Sequence, residues 1–150
     1  MKKGIITFIT SLCVLVGFSS SCKEKETEIP FVQIGKGILS GSEGISTQDM
    51  IITTQEEWEN LKTAMRTETN NFSETEIDFD KYSVVAVFDK VHYSGSYEIA
   101  ITKIIDYSDK VVVTVKVNIP KGIAAPQVIT QPYHIVKTPI LTKSIEFKHK

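Results

Sequence analysis

Apolar positions recur along this chain with two different periods. From Tyr82 to Phe88 the run Tyr-Ser-Val-Val-Ala-Val-Phe is apolar almost throughout, which suits a buried central strand and is short for a helix. Tyr97, Ile99 and Ile101 then alternate with Glu98, Ala100 and Thr102, and Val111, Val113, Val115 and Val117 alternate with Val112, Thr114, Lys116 and Asn118. The turn residues Tyr107-Ser108-Asp109-Lys110 lie between these runs, so the two should form an antiparallel hairpin. Tyr133–Val136 and Ser144–Phe147 are shorter candidates, the last with Ile145 and Phe147 on one side and Glu146 and Lys148 on the other, a pattern suited to a charged edge strand. Phe31–Leu39 and Asp49–Thr53 add strands on either side of the Gly- and Ser-rich stretch Ser40–Ser46.

One segment carries the helical period. Trp58, Leu61 and Met65 fall on one face of a helix running from about Gln55 to Arg66, with Ala64 beside them. Thr54 and Glu57 form the capping-box spacing at its start, where each side chain satisfies an orphan N–H. Glu56, Glu57 and Glu59 stand near the positive end of the dipole, and Lys62 and Arg66 near the negative end. Trp58 reads as a core anchor, and the polar stretch Thr67–Glu76 as a loop. Strands, one helix and a further run of strands imply an α+β fold: an antiparallel β-sheet of about five to seven strands packed by one α-helix.

The first residues are of another kind. Lys2 and Lys3 precede an uncharged, mostly apolar run from Gly4 to Phe18 that is shorter than the roughly twenty residues a membrane-spanning helix needs. Ser19-Ser20-Ser21 and then Cys22 follow, and this arrangement resembles a bacterial lipobox, although Ser19 stands where an aliphatic residue is usual. That resemblance implies a signal peptide over 1–21, cleaved before Cys22, whose thiol takes a diacylglyceryl group and whose freed amine takes a further acyl chain. Several acyl chains on one residue give stable anchoring. Residues 22–30, rich in Lys and Glu, read as a charged tether, and 31–150 as a single domain. Lys23 occupies the position where aspartate marks inner-membrane retention in such lipoproteins, so the outer membrane is expected, on its periplasmic or its surface face.

Composition narrows the function. The 150 residues carry 17 basic and 18 acidic side chains, a net charge of -1, which excludes a strongly basic nucleic-acid binder. Cys13 leaves with the signal peptide and Cys22 is acylated, so no disulfide is available and packing alone must hold the domain. His92, His134 and His149 are scattered without metal-ligand spacing, and His134 reads as a packed or hydrogen-bonded strand residue. Gly41-Ser42-Glu43-Gly44 lacks nucleophile-elbow spacing, Gly35-Lys36-Gly37 lacks the third glycine of a phosphate cradle, and Asp78 and Asp80 read as a solvated pair. No catalytic residue, metal site or cofactor is expected, and the protein is read as a non-enzyme.

From about Ile77 to Thr138 the chain resembles the C-terminal domain of the PrcB family, which are protease-complex subunits. Val84–Phe88, Ser94-Gly95-Ser96-Tyr97, Val111–Val115, Pro120, Pro126 and Gln131-Pro132-Tyr133-His134-Ile135-Val136-Lys137 carry the likeness. The family usually has two glycines before the tyrosine, and here the second is Ser96; a positive φ there would cost serine about 1–2 kcal/mol. The resemblance implies association with a secreted protease or other envelope protein rather than chemistry. Tyr93, Gly95, Ser96, Tyr97, Pro132, Tyr133 and His134 form the candidate binding surface, tyrosine being enriched at the centres of interfaces. The alternative is a small-ligand or glycan site lined by the same tyrosines.

Overall fold

The computed structural model describes residues 26–66, 72–119 and 127–150. Cys22, Pro120 and Pro126 lie outside the described residues, as does the 1–21 signal segment. Eight strands and one helix follow in the order β1 (Thr27–Glu28), β2 (Val32–Leu39), β3 (Gln48–Ile52), α1 (Gln55–Met65), β4 (Tyr82–Phe88), β5 (Glu98–Asp106), β6 (Lys110–Asn118), β7 (Gln131–Pro139) and β8 (Ser144–His149). The class is α+β. The strands divide between two four-stranded sheets, β2-β7-β4-β3 and β1-β5-β6-β8, and all pairings are antiparallel except that of β8 with β6.

Burial on both faces explains the division. Val84, Ala86 and Phe88 of β4 and Tyr133 and Ile135 of β7 pack in one cluster with Trp58, Leu61 and Met65 of α1. Val85 and Val87 of β4 and Val136 of β7 point the other way, into a second cluster with Ile99, Ile104 and Val113 of the facing sheet. A strand with no solvated face reads as a continuous apolar run, which is what Tyr82–Phe88 is. The result is three layers: the helix, the β2-β7-β4-β3 sheet, and the β1-β5-β6-β8 sheet.

The helix begins and ends as its caps dictate. The Thr54 hydroxyl accepts from the Glu57 N–H at 3.2 Å, and the Glu57 carboxylate accepts from the N–H groups of Thr53 and Thr54 at 2.9 and 3.2 Å. Arg66 closes α1 in the left-handed region at φ 48°. Trp58 is fully buried, donates its indole N–H to the Thr75 carbonyl at 3.0 Å and meets Phe72 edge-to-face at 5.2 Å. It is a core anchor, as its spacing implies.

A bulge keeps the second core apolar. Thr102 is an extra residue in β5 between Ile101 and Lys103, and this bulge lets Ile99, Ile101 and Ile104 all face inward although their spacing breaks strict alternation. β8 is an edge strand, with Ile145 and Phe147 against that core and Glu146 outside, 2.8 Å from the Lys110 ammonium. The charged segment before Pro30 is drawn in further than a tether would be. Thr27 and Glu28 pair with Asp106 and Ile105, and the Ile29 N–H donates to the Ile104 carbonyl at 2.9 Å. The edge of β5 satisfies the backbone there, so the sheet starts four residues ahead of the boundary set by composition.

His134 joins the two sheets. Its Nδ1 accepts from the Ile101 N–H of β5 at 2.9 Å, so the proton sits on Nε2, 3.1 Å from Gln33 Oε1 of β2. Burial, together with the charge of Lys36, pushes its pKa from 6.5 to about 4, so the ring is neutral in the fold. In the unfolded chain the ring gains its proton near pH 6.5, whereas the folded ring resists protonation until about pH 4. The stability this provides is therefore complete above about pH 6.5 and lost as the pH falls toward 4, by about 3 kcal/mol in all. Urea unfolding across that range should show the decline, and His134→Leu, though less stable at neutral pH, should lose this part of the slope. An unchanged slope in the variant would assign the effect to other groups.

Candidate functional site

The ladder registers place the loops 40–46, 89–97 and 127–130 at one end of the molecule. Leu39 pairs with Gln131, Gln48 with Phe88 and Glu98 with Asn118, so these loops leave the sheets side by side. Gln131, itself buried, donates its side-chain N–H groups to the carbonyls of Ile45 at 2.8 Å and Asp89 at 3.1 Å, tying two loops to β7. A bridge between His92 and Thr130 and a bond from the Thr130 hydroxyl to the Ser94 carbonyl at 3.0 Å tie the third.

Two cavities open at this end. One, of about 300 Å³, lies between the two sheets and is lined by Lys36 and Ile38 of β2, Tyr97 and Ile99 at the start of β5, and Pro132 and Tyr133 of β7. The other, of about 400 Å³, is lined by Asp89, His92, Tyr97, Val117 and Ile119. Tyr97 borders both. Its ring lies against His92 at 3.6 Å between centroids and 12° from parallel, and His92 Nε2 is 2.8 Å from Asp89 Oδ2. The Asp89 N–H in turn donates to the Pro132 carbonyl at 3.0 Å. A chain of contacts from β7 through Asp89 and His92 thus sets where the Tyr97 ring stands.

Glycine shapes the α1 side of the same strand pair. A Cβ on Gly37 would lie 3.0 Å from the Tyr133 hydroxyl oxygen and 3.2 Å from its ring, so the tyrosine lies close along β2 where that position has no side chain. Burial raises the Tyr133 pKa, and its ring stacks on Phe88 at 6.0 Å.

The structure sorts the seven candidate positions. Tyr97, Pro132 and Tyr133 meet at the first cavity, and Tyr93 stands clear of the surface at 79% exposure near it in the chain. Ser96 has φ 71°, the left-handed conformation that serine adopts at a cost and glycine without one. Two of the positions are buried and do not line that cavity. His134 is 4% exposed and faces the second sheet, because alternation along β7 puts it on the opposite side from Tyr133. Gly95 is buried within the 93–97 loop. Pro132 lies inside β7, paired with Ile38.

Sequence reasoning missed Lys36, Ile38, Asp89 and Gln131. The Asp89–His92 spacing was a local signal for a paired loop; the others reach the site only through strand pairing. A third hollow, lined by Met50 of β3 and Leu61 and Ala64 of α1, lies on the far side of the β2-β7-β4-β3 sheet. Among the described residues, no group of three or more His, Cys, Asp and Glu is placed to hold a metal ion, and no helix is long and apolar enough to cross a membrane.

Residues 83–139 match the family described as PrcB C-terminal. No curated protein and no solved structure matches the chain. The matched span runs from β4 through β7 and is PrcB C-terminal-like; the 89–97 loop and Tyr97 fall within it, whereas Lys36 and Ile38 of the first cavity precede it. The hollow beside α1 draws nothing from that span.

Two substitutions test the geometry. Ser96→Gly should raise stability by about 0.5–1 kcal/mol, the relief of a left-handed serine less the added freedom of glycine in the unfolded chain. Gly37→Ala should displace the Tyr133 ring and shift its aromatic NMR signals. If Ser96→Gly destabilises, the 93–97 loop does not hold the conformation described.

Proposed function

We propose that this protein is a lipid-anchored, noncatalytic accessory module of the cell envelope that docks a protein partner, a secreted protease being the class the family points to. Acylated Cys22 attaches it to the membrane, the outer membrane by the residue that follows. The Tyr97 seam receives the partner. The observation that carries this reading is the meeting of Tyr97 with Pro132 and Tyr133, from two family-like segments, at one concave surface. Loops held by Gln131, Asp89 and His92 lose little freedom on binding, which favours a preformed docking site. Exposed Ile38 and Tyr93 supply apolar and amphipathic area around it.

The cavity volumes also fall within or near the range of small-ligand sites, which is the argument for a glycan or small-molecule binder. Against it, one face of Tyr97 is already covered by His92, leaving a single face for a sugar ring.

Capture from detergent-solubilised envelopes separates the two. The tagged protein should recover an envelope fraction with proteolytic activity, and Tyr97→Ala or Ile38→Lys should weaken that capture at least tenfold, roughly 1.4 kcal/mol. Ile140→Lys, exposed at the other end of the sheets, should not. Recovery of no protease, with glycan binding by the pure protein, would favour the second reading. Cys22→Ser should leave the precursor uncleaved and free of acyl mass; normal processing of that variant would sink the anchor.

A further inference from the structure

The lipid-anchor reading, combined with the strand registers, fixes which way the docking end points. The described chain enters the domain along the last residues of β5, Thr27 opposite Asp106. That end of the molecule holds the 107–109 turn and the 140–143 crossover, joined by the Lys143 ammonium to the Asp106 carboxylate at 2.5 Å and to the Tyr107 carbonyl at 2.6 Å. The Tyr97 seam lies at the opposite end of the same strand, next to Glu98. Eight residue steps separate Glu98 from Asp106, about 27 Å of strand. From Cys22 to Thr27 there are five steps, which reach at most about 18 Å. A segment that short cannot fold back into the seam, and it holds the turn end nearest the anchor.

We infer that the anchored domain is bipolar: the 107–109 turn end faces the lipid, and the end bearing Tyr93, Tyr97, Ile119 and Ile129 faces away, presented to a protein partner rather than to the bilayer. Charge agrees with this assignment. At the lipid end Lys143, Lys81 and Lys110 are paired with Asp106, Asp78 and Glu146 at 2.5, 2.5 and 2.8 Å, so the tether rather than a basic patch sets the approach. At the far end Tyr93, Ile119 and Ile129 are 79%, 68% and 54% exposed, with Ile38 and Val128 also exposed there, against Val32 and Ile140 toward the turn end. The antiparallel His92–Thr130 bridge sets Tyr93 opposite Ile129.

Energy transfer tests the orientation on the mature lipidated protein, whose acylated Cys22 leaves no competing thiol. Asp109→Cys and Tyr93→Cys, with Val128→Cys as a second far-end site, are each labelled with a donor dye and reconstituted into vesicles carrying an acceptor lipid. Transfer from position 109 should exceed that from 93 and 128 at least twofold. Equal or reversed transfer in protein that floats with the vesicles would overturn the orientation alone, reversal meaning that the apolar loops enter the bilayer. Protein that carries no acyl mass and fails to float would overturn the anchor reading, and the orientation with it.

Discussion

The central strand pair β4–β7 has no face left for water. Everything else in the molecule follows from covering it twice, by α1 on one side and by the β1-β5-β6-β8 sheet on the other. Burying both faces of a sheet provides a large hydrophobic stabilisation and makes an unpartnered polar group within it costly. Four polar side chains of the pair reach out to neighbouring loops, crossovers and the second sheet. The Ser83 hydroxyl accepts from the Leu141 N–H, the Thr138 hydroxyl donates to the Pro30 carbonyl, His134 accepts from Ile101, and Gln131 donates to Ile45 and Asp89. The buried polar residues of these two strands are the pegs that fasten the connections.

The same pegs place the docking seam. Gln131 and His134 lie on either side of Pro132 and Tyr133, so the loops and the second sheet are clamped on both flanks of the concave surface. Asp89 and His92 then hold Tyr97 from the other side. A surface made this way is stiff, which suits recognition without rearrangement.

The matched span is not self-sufficient. Within Ser83–Pro139, the Val84, Ala86, Phe88 and Ile135 face is covered by Ile34, Leu39, Ile52, Trp58 and Leu61, all of which precede it in the chain. The facing sheet is completed by Ile145 and Phe147, which follow it. The flanking segments therefore act as the coat that lets the family-like core exist in water, and β2 adds Lys36 and Ile38 to the seam besides.

Features encoded within a few residues were legible in the chain itself. The Thr54–Glu57 box, the Trp58 face, the Tyr107–Lys110 turn and the continuous Tyr82–Phe88 run each state their own local structure, because caps, turns and periodicity are satisfied by near neighbours. So did the serine at φ 71° before Tyr97, once its glycine counterpart was considered. The splitting of the strands into two sheets, the parallel placing of β8 beside β6 and the docking of Thr27 and Glu28 on β5 were decided by tertiary structure alone. So was the seam, since Ile38 and Tyr133 come from two strands of one sheet and Tyr97 from the loop that enters the other. Strand register between distant segments is chosen by mutual burial, and no single segment carries that information.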